Sequence, residues 1–146
     1  MKECILDEVT SRGQTLPIKV ISAGTHAING YPASEHAIEV SAQHGIDISS
    51  HRSSQLTEEI VNSSDLILTM EKRHTQSIRE NWPQINCVYE LKDFGHNNEK
   101  NSTDIEIIDP IGMTLDDYLD VFNQIKNEIV RVSHTIFSLA REKYSG

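Results

Sequence analysis

The 146 residues suffice for a single domain of ordinary size, and 37% of them are hydrophobic, enough for a core. The formal charge of −9 argues against nucleic acid and against an anionic membrane as partners, because both require clustered Lys and Arg. Two cysteines, Cys4 and Cys87, and seven scattered histidines form neither a disulfide framework nor a metal site. We therefore expect one domain over residues 1–146, with no metal and no organic cofactor.

The first residues are charged, with Lys2, Glu3, Asp7 and Glu8 in positions where a signal peptide is apolar. No stretch approaches the ~20 consecutive apolar residues of a membrane span. These two observations predict a cytoplasmic protein.

Apolar spacing and helix or turn signals predict the elements in chain order. They are a helix over 1–12, a strand over 18–21, a helix over 33–44 that Gly45 ends, a short helix with Thr57 as its N-cap, a strand over 65–70 buried on both faces, a helix over 71–82, a strand over 87–91, a polar loop at about 95–104, and a long helix from about 114 to 143. Such alternation predicts an α/β domain with a parallel sheet and helices on both faces. An ordinary doubly wound domain begins with a strand, whereas this chain is predicted to begin with a helix.

Several separated motifs resemble the low-molecular-weight protein phosphatase family, which includes protein tyrosine and protein arginine phosphatases. Their order and spacing are more specific than any one of them. The motifs are Ser22-Ala23-Gly24-Thr25, Gly45-Ile46-Asp47, His51-Arg52-Ser53-Ser54-Gln55-Leu56, Asp65-Leu66-Ile67-Leu68-Thr69-Met70, Val88-Tyr89-Glu90-Leu91-Lys92-Asp93-Phe94 and Asp109-Pro110.

The resemblance implies a flavodoxin-like, doubly wound parallel sheet of four strands in the order 2-1-3-4, with ligands bound beyond the strand carboxyl ends. In the family, a first strand leads into a Cys-x5-Arg-Ser loop that binds phosphate and supplies a thiolate nucleophile. This chain has no such loop, because Thr10 stands six positions after Cys4 and Asp93 six positions after Cys87. We therefore expect an N-terminally truncated chain that lacks the central strand and the nucleophile, and that is marginally stable and inactive as it stands.

Asp109 is the predicted general acid, since a leaving oxygen or nitrogen departs readily only if it receives a proton. The Asp-Pro dipeptide alone is typical of an ordinary turn, and the surrounding motifs favour the acid. Ser22 and His51 match family positions that brace the phosphate loop, although a strand-end hydroxyl and a surface histidine are the plain alternatives. Glu71 matches an often acidic position near the site, and a helix N-terminal carboxylate explains it equally well.

Ile111 follows Asp109-Pro110 where family members that act on phosphotyrosine often have aromatic residues. An aliphatic residue at this position is more similar to the arginine phosphatases of the family. The resemblance implies a phosphorylated protein as partner, carrying either phosphotyrosine or phosphoarginine. A non-catalytic remnant or binding module of the same fold is the alternative function. Arsenate reduction would need three cysteines, and a response-regulator receiver would need an aspartate at the end of a central strand, where Asp65 instead begins one. The sequence does not predict the oligomeric state.

Overall fold

The computed structural model describes residues 18–96 and 106–144. Within these ranges the helices are α1 (Glu35–Gln43), α2 (Glu58–Ser63), α3 (Lys72–Asn81) and α4 (Leu115–Tyr144), and the strands are β1 (Ile67–Thr69) and β2 (Val88–Glu90). All four helices predicted in this part of the chain are confirmed. The predicted helix over 1–12, which includes Cys4, and most of the polar loop predicted at 95–104 lie outside the described residues.

Short polar side chains cap the first two helices. Ser34 Oγ accepts from the N–H of Ala37 at 3.3 Å, and Thr57 Oγ1 accepts from the N–H of Ile60 at 3.3 Å. Each satisfies one of the free N–H groups of a helix N-terminus. Gly45, with φ +76°, takes the left-handed conformation that ends α1. The predicted N-cap at Thr57 and the predicted stop at Gly45 are therefore confirmed.

The sheet of the described residues consists of β1 and β2, which pair in parallel. Two hydrogen bonds of 2.8 Å continue the pairing at its ends, from the N–H of Ile67 to the carbonyl of Cys87 and from the N–H of Leu91 to that of Thr69. Both strands are shorter than predicted. Thr69 is the one buried residue of β1, and the rest of the strand is half-buried, so the prediction of burial on both faces is confirmed only in part.

Residues 18–21 were predicted to form a strand, and that prediction is wrong for the part of the chain that the structure describes. Their burial alternates as in a strand, and Ile18 and Val20 pack against Ile129 and Phe137 of α4. A strand also requires a hydrogen-bonded neighbour, and no described segment pairs with these residues. Alternating hydrophobicity therefore predicts which side chains are inward, and it cannot supply the pairing.

Helix α4 contributes buried residues to both clusters of the hydrophobic core. Its Val132 packs with Leu91, Phe94 and Ile107 at the end of β2 and before Asp109. This cluster lies directly beneath the carboxyl ends of the two strands, where ligands bind in open parallel sheets. None of the described helices combines the length and apolar character needed to cross a lipid bilayer.

Candidate active site

Asp109 lies at the carboxyl edge of the sheet, on a segment whose backbone is bonded to the residue after β1. The N–H of Ile107 donates to the carbonyl of Met70 at 2.8 Å, and the Ile107 side chain is only 2% exposed. Asp109 follows two residues later and is exposed. A buried anchor thus brings an exposed carboxylate to the carboxyl edge of the sheet.

A turn after Asp109 holds its carboxylate. Oδ1 of Asp109 accepts from the N–H of Ile111 at 3.1 Å, a hydrogen bond typical of Asx turns. The N–H of Met113 donates to the carbonyl of Pro110 at 2.9 Å, and Gly112 has φ +78° within that turn. Because Pro110 also restricts the backbone of the residue before it, the Asp109 side chain is held in a defined direction.

Glu71 lies at the same edge, two residues after β1 ends. Its Oε1 accepts from Nη2 of Arg73 at 2.8 Å, and its side chain is 15% exposed against 67% for Arg73. The hydrogen bond and the charge of Glu71 raise the pKa of the Arg73 guanidinium, with smaller contributions from the charges of Asp109 and Glu106. Glu71 thus pairs directly with Arg73, and Asp109 acts on the same guanidinium only through its charge.

The sequence interpretation did not identify Arg73 or Glu106 as site residues. Glu106 Oε1 accepts from the N–H of Lys72 at 2.9 Å, which joins the segment before Asp109 to the start of α3. The available signal was a glutamate within the otherwise apolar run Ile105–Ile108, since a charge within such a run needs a partner. Arg73 gave a weaker signal, because helix N-termini generally favour acidic side chains.

Ser22 and His51 lie on two loops that the backbone joins to each other. The N–H of Gly24 donates to the carbonyl of Ser54, and the N–H of Leu56 donates to the carbonyl of Gly24, both at 2.9 Å. Ser22 and His51 are themselves exposed. Among the described residues no hydrogen bond connects either side chain to Asp109.

Ser53 organises these loops internally. Its Oγ donates to the carbonyl of Ile28 at 2.5 Å and accepts from the N–H of Tyr31 at 3.0 Å. The N–H of Gln55 donates to Oδ1 of Asn29 at 2.6 Å. These hydrogen bonds hold residues 28–31 and 53–55 against each other, although the side chains of both segments are largely exposed.

Cys87 is the free cysteine of the described residues, and it lies at the opposite end of the sheet from Asp109. It precedes β2, is half-buried, and its Sγ donates to the carbonyl of Ser64 at 3.5 Å. A strand rises about 3.3 Å per residue, so the length of β2 separates this thiol from the carboxyl edge. Cys87 is therefore not placed to act as a nucleophile beside Asp109.

Comparison with known proteins identifies the family. A family model described as "Low molecular weight phosphotyrosine protein phosphatase" matches residues 1–143. The chain belongs to this family.

Two curated relatives and one solved structure illustrate the similarity. The probable low molecular weight protein-tyrosine-phosphatase EpsP of Ralstonia nicotianae is 52% identical over 71 residues, which are 48% of this chain and 49% of that protein. The protein-tyrosine-phosphatase Wzb of Escherichia coli is 34% identical over 110 residues, covering 75% of this chain and 70% of Wzb. The YwlE arginine phosphatase from Geobacillus stearothermophilus superposes with a TM-score of 0.76 at 26% identity, over 97% of this chain and 88% of YwlE.

The fold is thus the flavodoxin-like α/β fold of the low-molecular-weight phosphatases, as the motifs predicted. The strands β1 and β2 are parallel neighbours, as the family order predicts for the strands expected at 65–70 and 87–91. The matched stretch spans about half the length of the first curated relatives, 49% of one and 47% of another.

Proposed function

We propose that this protein is a protein phosphatase that hydrolyses phosphotyrosine or phosphoarginine with Asp109 as its general acid. The observation that carries the proposal is the exposed Asp109 carboxylate at the carboxyl edge of the sheet, held by the N–H of Ile111, in a chain of the low-molecular-weight phosphatase family. A general acid must be fixed and accessible to the leaving group. Asp109 meets both requirements.

The proposed reaction has two steps. A cysteine thiolate attacks phosphorus, and the bond to the leaving oxygen or nitrogen breaks as the Asp109 carboxyl gives that atom its proton. Water then attacks the phosphocysteine, releases phosphate and restores the thiolate, while its proton passes to the Asp109 carboxylate. Ser22 and His51 are the proposed braces of the phosphate loop, because hydrogen bonds from behind such a loop fix its N–H groups and its thiolate.

The 146 residues contain no Cys-x5-Arg segment. We accordingly propose that residues 1–146 alone have no thiolate-dependent phosphatase activity. The same observation favours a second candidate, a non-catalytic binding module of the same fold.

Comparing two forms of the protein tests the proposal and separates these candidates. One form is residues 1–146, and the other is the product of the whole reading frame, including any in-frame codons upstream of Met1. We expect the second form to hydrolyse an aryl phosphate and to lose activity after alkylation with iodoacetate, and we expect the first to be inactive. Thiolate-dependent turnover by residues 1–146 would contradict the missing nucleophile. A stop codon directly upstream of Met1, with no turnover, would favour the binding module.

The surface beside Asp109 supports one of the two substrate classes over the other. Ile111 is 76% exposed, so the position offers an aliphatic contact in place of an aromatic ring that would flank a tyrosyl group. The relatives named above include both tyrosine and arginine phosphatases. The values of kcat/KM for matched phosphotyrosine and phosphoarginine peptides decide between the two, and a larger value for phosphoarginine is the outcome that Ile111 favours.

A further inference from the structure

Helix α3 takes its N-terminal cap from a distant segment. Glu71 is in the N-cap position, yet its side chain accepts no cap hydrogen bond and pairs with Arg73. The N–H of Lys72 donates instead to Oε1 of Glu106 at 2.9 Å, across 34 residues of sequence. A carboxylate here satisfies a free N–H and interacts favourably with the helix dipole.

The backbone around Glu106 is bonded to the ends of both strands. The Glu106 carbonyl accepts from Nζ of Lys92 at 2.9 Å, just beyond β2. The N–H of the next residue, Ile107, donates to the carbonyl of Met70 at 2.8 Å, just beyond β1. Three hydrogen bonds from two neighbouring residues therefore fix this segment to α3, β1 and β2.

We propose that Glu106 is a positioning residue for Asp109, a role that rests on the proposed function of Asp109 as general acid. Asp109 lies three residues beyond Glu106, a distance of at most about 11 Å along the chain. Loss of the Glu106 carboxylate releases one of the bonds that fix the start of this span. A displacement on the order of 1 Å at a reacting group is enough to lower a rate about 100-fold.

Two variants separate the hydrogen bond of Glu106 from its charge. Glu106→Ala removes both, whereas Glu106→Gln keeps an oxygen that can accept from the N–H of Lys72. If positioning is the role of Glu106, the glutamine variant retains most of the activity. Glu39→Ala is the matched control, since Glu39 is an exposed glutamate on a different helix, α1.

The readout is the rate for two aryl phosphates, one with a good leaving group and one with a poor one, measured with the product of the whole reading frame. Only the poor leaving group depends strongly on the general acid. We expect Glu106→Ala to lower kcat/KM for the poor leaving group about 10- to 100-fold and to change kcat/KM for the good one less than about 3-fold. The comparison uses kcat/KM because it reports phosphoryl transfer to the cysteine and excludes the later hydrolysis, which is common to both substrates. Glu106→Gln and Glu39→Ala should stay near wild type. Equal losses for both substrates, or no loss, would overturn the positioning role.

The Asp109→Asn variant tests the general-acid role of Asp109 separately from the positioning role of Glu106. If that variant does not slow the poor leaving group, the general-acid role fails. If Asp109→Asn slows that reaction and Glu106→Ala does not, the general-acid role stands and Glu106 is not a positioning residue.

Amide hydrogen exchange at Ile111 gives a second measurement that needs no turnover. Faster exchange in Glu106→Ala, restored by Glu106→Gln, supports the positioning, and unchanged exchange contradicts it. If Glu106→Ala does not fold, Lys92→Met, which removes the bond to the Glu106 carbonyl, should show the same selective loss.

Discussion

Two regions of the molecule carry the proposed site residues, and they are held in different ways. The carboxyl edge, residues 69–73, 91–92 and 106–109, carries Glu71 and Asp109 and combines buried side chains with long-range hydrogen bonds. The paired loops, residues 22–31 and 51–56, carry Ser22 and His51 and contain no buried residue.

The difference shows which part of the site this chain organises by its own contacts. At the carboxyl edge, Ile107 and Leu91 belong to one core cluster with Val132 of α4. The paired loops depend mainly on hydrogen bonds between exposed groups, which contribute about 0.5–1.5 kcal/mol each. We therefore expect the orientation of Asp109 to be the most strongly determined feature of the site.

The largest effect should follow Asp109→Asn in the product of the whole reading frame. Asparagine keeps an oxygen that can accept from the N–H of Ile111, but it has no acidic proton to donate. We expect kcat/KM for a poor leaving group to fall about 100- to 10,000-fold, and a much smaller loss of kcat/KM for a good one, because kcat/KM excludes the hydrolysis step that both substrates share. Steady-state kinetics on both substrates measures this. An equal loss for both substrates would show that the carboxylate binds substrate and does not protonate the leaving group.

The next largest effect is expected on the free energy of unfolding, in which substitutions of two adjacent isoleucines at the carboxyl edge should differ. Ile107 is 2% exposed and Ile108 is 64% exposed. We expect Ile107→Ala to lower the free energy of unfolding by about 2–5 kcal/mol, because it leaves a cavity beneath Asp109. Ile108→Ala is the matched control and should change it by less than about 0.5 kcal/mol. Urea unfolding of both variants measures the contrast, and similar values would contradict the burial difference.

A smaller effect is expected in the paired loops, at Gly24. A Cβ added there would lie 2.9 Å from Cβ of Ala27, closer than two such atoms can approach without movement. We expect Gly24→Ala to lower the free energy of unfolding by about 1–3 kcal/mol. Adding Ala27→Gly removes the opposing atom, so the double variant should regain more than the Ala27→Gly change alone predicts. Additive effects in this cycle would show that the close approach is not the cause.

The same contrast explains what the sequence could predict. Helices with local signals were predicted correctly, including the N-cap at Thr57, because a cap and its partner lie within one turn. The strand predicted at residues 18–21 was wrong for the described structure, since strand formation depends on a partner that periodicity does not specify. Asp109 was predicted as the general acid because a motif marks it, and that role stays a prediction. Glu106 was missed because its partner, the N–H of Lys72, is 34 residues away.

The smallest effect is expected at the start of α4. This part of the chain belongs to neither region and serves as an internal reference. Thr114 and Asp117 form a reciprocal cap, in which Oδ2 of Asp117 accepts from the N–H and the hydroxyl of Thr114 at 2.9 and 2.6 Å. The Thr114 hydroxyl bond and then the backbone bond lower the pKa of Asp117 below its ordinary value of 3.8. A lowered carboxyl pKa means that the ionised form is favoured in the folded state.

The stabilisation by Asp117 is therefore fully present above its unfolded pKa and is lost as the pH falls through the lower folded value. We expect Asp117→Asn to show a weaker loss of stability than the parent protein below about pH 4, the range in which aspartate titrates. Thr114→Ala should flatten the same part of the profile, since it removes the hydroxyl that lowers the pKa. Thermal unfolding between pH 3 and pH 6 in steps of about half a unit, narrower than the roughly two-unit span of one titration, measures this. Parallel profiles for all three proteins would show that this cap makes no contribution to the acid sensitivity of the fold.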